Sequence, residues 1–101
     1  MDGTIGIGLI GLGTVGTGVV QLLQDAPSAM RRREHVDFTL ERVAVRDLAR
    51  KRAVALEDAL LTAEAMEVVN DPRVQMVVEV SGASGAYEWI CAALQQGKDV
   101  V

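Results

Sequence analysis

Apolar and polar positions along this chain switch between two periods. Residues 4–10 (Thr-Ile-Gly-Ile-Gly-Leu-Ile) are nearly all apolar or glycine. That is the composition of a strand covered on both faces, hence central in a sheet. From Thr14 the spacing becomes helical. Val15, Val19, Leu22 and Leu23 share a face, which predicts a helix over residues 14–24 with that face inward. Asp25, Ala26, Pro27 and Ser28 stop it, since Pro27 disfavours helix at Ala26. Residues 29–37 are polar and read as a loop or a helical extension. A second strand follows over residues 38–45, with Val43, Ala44 and Val45 as its buried part. Asp47 stands where it would cap a short helix reaching about Arg52.

Residues 53–61 carry no clear period, and a short third strand is expected near Leu60 and Leu61. Thr62 is placed to N-cap a helix reaching Asn70, with Glu64 complementing the dipole in its first turn. Asp71-Pro72 ends that helix. Residues 74–80 read as a strand, closed by Ser81-Gly82. A helix is expected over residues 83–96, where Tyr87, Ile90, Cys91 and Leu94 form one apolar stripe. Gly97 supplies its left-handed stop, and Asp99-Val100-Val101 begin another strand. Strand alternating with helix predicts an α/β fold, a doubly wound parallel sheet with helices on both faces. Residues 1–101 read as one domain, without an internal repeat or a low-complexity linker.

The junction of the first strand and helix carries the candidate chemistry. It reads Gly11-Leu12-Gly13-Thr14-Val15-Gly16. A strand, a tight glycine turn and a helix start, in that order, form the dinucleotide-binding turn of the Rossmann fold. Gly11 lets the chain turn off the strand. Gly13, without a Cβ, lets the backbone approach a pyrophosphate. Gly16 lets the helix pack closely. The free N–H groups of the helix N-terminus, with its dipole, then face the phosphates. Three glycines at this spacing also occur in ordinary structural turns.

In such a fold, the end of the second strand selects the cofactor: a carboxylate suits NAD and an arginine suits the 2′-phosphate of NADP. This chain has Arg46 followed by Asp47, with Arg50 and Lys51 close behind. Asp47 lies 31 positions after Gly16, against a usual interval of about 20. The polar stretch after Pro27 accounts for the excess as an insertion. Arg46 lies nearest the strand end and a guanidinium reads phosphate bidentately, so NADP is favoured over NAD. The alternative is a solvated Arg46 and an Asp47 that only caps a helix. Ser81 and Gly82, at the carboxyl end of the fourth strand, fall where ligands of such sheets bind. Ser81 either approaches the ribose or nicotinamide side of the cofactor or caps the next helix. Glu79 is a carboxylate in an apolar strand, costly unless paired or solvated. It is expected to face outward at the strand end and is assigned no catalytic role. Trp89 and Cys91 read as packing residues.

Composition narrows the class. Half of the 101 residues are hydrophobic but only 3% are aromatic, so the core is aliphatic. About 100 residues suffice to bury one modest core. The net charge of −4 argues against non-specific nucleic-acid binding, which needs clustered Lys and Arg. Arg31-Arg32-Arg33 reads as a solvated loop. A single cysteine excludes an internal disulfide, and no His/Cys cluster has metal-ligand spacing. The expectation is a cytoplasmic chain without a membrane span, a leader or a metal.

Three segments resemble one family. They are residues 7–20; Arg42-Val43-Ala44-Val45-Arg46-Asp47; and Asn70-Asp71-Pro72 through Val77-Val78-Glu79-Val80-Ser81-Gly82 to Gly97-Lys98-Asp99-Val100-Val101. Together they are similar to the N-terminal nucleotide-binding part of homoserine dehydrogenase. The resemblance implies reversible oxidation of L-homoserine to L-aspartate 4-semialdehyde with NAD or NADP, in threonine and methionine biosynthesis. It implies that Gly11, Leu12, Gly13, Thr14, Val15 and Gly16 hold the pyrophosphate. It places Arg46 at the adenosine phosphate and Ser81 and Gly82 along the cofactor cleft. Ala83 stands where the family has a second glycine. The family's Thr-Ala-Asn-Lys segment and its substrate domain come after the position of Val101. The resemblance therefore implies that these residues bind cofactor without catalytic residues or turnover, and that the full-length protein is a homo-oligomer. Two alternatives remain: the cofactor domain of another small-substrate dehydrogenase, or a non-catalytic nucleotide-sensing module.

Overall fold

The computed structural model of the protein describes residues 3–25, 36–49, 52 and 54–101. Arg31-Arg32-Arg33, His35, Arg50 and Lys51 lie outside the described residues. Five strands, β1 (Gly3–Ile10), β2 (Val36–Ala44), β3 (Leu61–Thr62), β4 (Met76–Glu79) and β5 (Asp99–Val100), form one sheet. Their order is β3-β2-β1-β4-β5, and every pairing is parallel. The apolar, glycine-containing first strand is the central one, as its composition requires. Among the described residues the helices are α1 (Thr14–Asp25), α2 (Ala65–Asn70) and α3 (Ala86–Gln95), with a 3-10 turn at Asp58–Leu60. Among the described residues, no helix is long and apolar enough to cross a membrane.

The two faces of the sheet bury separate cores. On one, Leu9 and Val43 meet Val20 of α1, with Val45 and Val54 from the segment after β2. On the other, Ile10, Ala44 and Val77 meet Ala65, Val68 and Val69 of α2 and Ala93 of α3. The spacing of apolar residues in β2 is irregular for a strand, and a β-bulge explains it. Ile7 pairs with Leu40 but Gly8 pairs with Arg42, so Glu41 is the extra residue. The bulge lets Leu40 and Val43, three apart, both face the α1 side.

Two helices are rotated from the orientation their large apolar residues predict. In α1, Val20 is fully buried, Val19 packs against the same core and Leu23 is half-buried, while Val15 and Leu22 are 62% and 63% exposed. Gly16 is the cause: a Cβ there would stand 2.3 Å from the Gly11 carbonyl oxygen. The position without a side chain must face inward, which turns Val15 out. In α3 the two ends of the expected stripe are exposed, Tyr87 at 76% and Leu94 at 58%, while Ile90 and Cys91 are half-buried. The inward side is Ala93, with Trp89 and Ala92 partly buried against the same core. Small side chains let this helix close on the sheet.

Local boundaries differ for definable reasons. α3 starts at Ala86, with Gly85 as N-cap, three residues later than the sequence suggests. Thr62 ends β3 rather than capping a helix: its hydroxyl accepts the Glu64 N–H at 3.1 Å, and Glu64 itself is the N-cap of α2. Of the helix expected from Asp47 to about Arg52, Arg50 and Lys51 lie outside the described residues; Leu48 and Ala49 form a turn, where the Asp47 carboxylate accepts the Ala49 N–H at 2.9 Å.

Candidate functional site

Register brings the candidate residues together. Ile10 pairs with both Ala44 and Glu79, so the three central strands end level. The Gly11 N–H donates to the Ala44 carbonyl at 2.9 Å, and the Val80 N–H to that of Ile10 at 2.9 Å. The chain leaves β1 towards β2 on one side and β4 towards β5 on the other. This is the switch point at which open α/β sheets bind ligands.

A cleft of about 750 Å³ opens there, within the range of small-ligand sites. Of the residues expected from the sequence, Gly11, Leu12, Gly13, Thr14, Arg46, Asp47 and Ser81 line it. Val15, Gly16 and Gly82 do not. Gly16 is buried beneath the turn, while Val15 and Gly82 are exposed beside it. The cleft also takes in Thr17, Gly18 and Gln21, which continue the Thr14 face of α1, and Arg52. Helical periodicity counted from Thr14 would have found the first three. Arg52 stands at the end of the short helix expected from Asp47, a reading that gives it no place in the cleft. Its guanidinium donates to the carbonyls of Leu48, at 3.2 Å, and Asp47.

The glycine turn has the geometry that a diphosphate needs. Gly11 has φ +101°, and a Cβ there would lie 2.6 Å from the Ser81 Cα. The first turn and the loop after β4 are thus in direct contact. At Gly13 a Cβ would meet nothing within 4 Å, so the space over this peptide is open. The first helical hydrogen bond runs from the Thr17 N–H to the Gly13 carbonyl at 2.8 Å. The amides of Thr14, Val15 and Gly16 precede that ladder, at the positive end of the helix dipole. Residues 11–16 therefore fit a pyrophosphate. Arg46 is exposed on the opposite wall.

At the end of β4 the structure departs from expectation. Glu79 is half-buried and turned to its own loop: its Oε2 accepts the Ser81 N–H at 2.9 Å and the Ser81 hydroxyl at 2.5 Å. Ser81 does not cap α3. Its Oγ accepts the Ala83 N–H at 3.0 Å, and Gly82 has φ +67°. Among the described residues there is no cluster of His, Cys, Asp and Glu that could hold a metal.

The sequence profile described as "Homoserine dehydrogenase, NAD binding domain" matches residues 11–101, from the first glycine of the turn onward. The chain belongs to the homoserine dehydrogenase NAD-binding domain family. The homoserine dehydrogenase of Bacillus subtilis (strain 168) is 40% identical over 98 residues, which are 96% of this chain and 23% of that protein. A crystal structure of S. aureus homoserine dehydrogenase superposes with a TM-score of 0.87 at 31% identity, covering 99% of this chain and 26% of that one. The homoserine dehydrogenase from Thiobacillus denitrificans gives 0.82 at 37% identity, over 98% and 23%. The chain thus spans about a quarter of the length of these homoserine dehydrogenases.

Proposed function

We propose that this chain is the cofactor-binding part of an enzyme that interconverts L-homoserine and L-aspartate 4-semialdehyde. The observation that carries the reading is the first turn of α1, whose amides open onto a cleft with Arg46 on the facing wall. The diphosphate lies along residues 11–16, the adenosine ribose between Arg46 and Asp47, and the nicotinamide half towards Ser81. NADP is preferred to NAD, because Arg46 offers a cation to the 2′-phosphate. Bound cofactor supplies the hydride chemistry; these residues bind and orient it. Residues 1–101 alone hold cofactor without turning over homoserine, and the full-length enzyme is a cytoplasmic homo-oligomer.

Calorimetric titration with NADPH and NADH tests this. Arg46→Ala is expected to weaken NADPH by about tenfold, the size of one lost charge-assisted hydrogen bond, and to leave NADH unchanged. Equal affinity of the variant and parent chains for NADPH removes the assignment of Arg46. Homoserine oxidation by the 101-residue chain removes the claim that it is inactive alone.

A further inference from the structure

Glu79 and Ser81 bear on which part of a ligand the β4 end of the cleft accepts. A serine hydroxyl has one hydrogen and two lone pairs. The Ser81 hydrogen is directed to the Glu79 carboxylate at 2.5 Å, and one lone pair takes the Ala83 N–H at 3.0 Å. One lone pair is left, on a residue that lines the cleft. We propose that Glu79 is a positioning residue that makes Ser81 an acceptor only, so that this end of the cleft takes a neutral hydrogen-bond donor of the ligand and rejects a phosphate.

The proposal rests on the dinucleotide reading of the cleft and deepens it. A phosphate oxygen set against Ser81 would meet a lone pair backed by a carboxylate, and both repel it. At the other end, the amides of Thr14 to Gly16 and the Arg46 guanidinium supply donors to phosphates, and the Asp47 carboxylate beside Arg46 is left for the adenosine ribose hydroxyls. The cleft is therefore polarised, with donors where the phosphates lie and an acceptor where the nicotinamide ribose hydroxyls or the carboxamide lie. That polarity fixes which way round the ligand enters. Glu79 also ties the loop at two points, its N–H and its hydroxyl, so that Ser81 stays against Gly11.

The test uses the 101-residue chain and two probes, NADPH and adenosine 2′,5′-bisphosphate, which lacks the nicotinamide half. Glu79→Gln and Ser81→Ala are each expected to weaken NADPH by about tenfold and to leave the bisphosphate within about twofold. The double variant is expected to bind NADPH no worse than Ser81→Ala, because the two residues act as one unit. Repeating the titrations with the deamido form of NADPH separates the sources. A tenfold effect that persists assigns the donor to the ribose, and one that vanishes assigns it to the carboxamide. Unchanged NADPH affinity in Glu79→Gln, an equal loss for both probes, or additive losses in the double variant overturns the proposal. Should Glu79→Gln fail to fold, Ser81→Ala decides alone: the loss must fall on NADPH and spare the bisphosphate. If the parent chain binds neither probe, the dinucleotide reading fails and takes this inference with it. If it binds both and the variants change nothing, only this inference fails.

Discussion

The two edges of the sheet are built from similar polar groups put to opposite uses. At the amino edge the groups satisfy one another. Lys98 Nζ donates to the carbonyls of Val69 at 2.5 Å and Asp71 at 2.7 Å, closing the end of α2. Arg73 forks onto the Asp71 carboxylate at 2.8 and 3.1 Å, and Gln75 Oε1 accepts the Gly6 N–H at 2.6 Å. Gln96 reaches Asn70 at 2.7 Å, joining the ends of α3 and α2. At the carboxyl edge, the amides of α1 and the side chain of Arg46 face open space. One edge closes on itself, and the other leaves the donors of its first turn facing the cleft. What distinguishes them is the turn after β1: Glu79, Ser81 and Asp47 fold back on the backbone of their own loops at the carboxyl edge too, but at residues 11–16 glycines leave the amides bare.

The largest break in this contrast is expected from the glycines themselves. In Gly16→Ala the new Cβ sits 2.3 Å from the Gly11 oxygen, and α1 must shift. A loss of about 3 kcal/mol in chemical denaturation, together with loss of NADPH binding, is expected. Gly13→Ala meets nothing within 4 Å. Its stability should stay within about 1 kcal/mol of the parent, while NADPH affinity falls at least about tenfold, as the methyl enters the space of the diphosphate. A Gly13→Ala chain that binds NADPH normally would show that no ligand passes over this peptide.

The amino edge should respond the other way round. Burial lowers the pKa of the Lys98 ammonium, with the Asp71 charge opposing it. Lys98→Met removes the donor from two carbonyls and should cost about 1–2 kcal/mol in thermal unfolding. Cofactor affinity should be unaffected. The smallest effect belongs to Asp71, whose pKa is held below its ordinary value chiefly by the Arg73 side-chain hydrogen bonds. A depressed carboxylate stabilises the fold above its ordinary pKa and loses that contribution as pH falls through the folded value. Melting temperature should therefore fall below about pH 4, less steeply in Asp71→Asn than in the parent chain. Identical acid profiles would show the pair to be a surface contact without energetic weight.

Local signals were legible in the sequence, and orientation was not. The order of strands and helices, the central place of β1 and the glycine turn at residues 11–16 follow from short-range chemistry. The inward faces of α1 and α3 do not. A periodicity reading weights large side chains, whereas here Gly16 and Ala93 decide which side closes on the sheet. α3 starts late where the Ser81 Oγ accepts the Ala83 N–H and Gly85 is the N-cap. The sequence places Arg52 only at the end of a short helix from Asp47, which gives no reason to expect it in the cleft.

The contact between Gly11 and the Ser81 backbone, 2.6 Å from where a methyl would be, has an evolutionary consequence. The gap between the two loops cannot be retuned by changing residue 11, since even alanine is a wedge. If the cleft holds the proposed coenzyme, a change of coenzyme choice is left to positions such as 46, 47 and 52, which line the same cleft. A lineage exchanging one coenzyme for another would show its history at those positions and keep the joint unchanged.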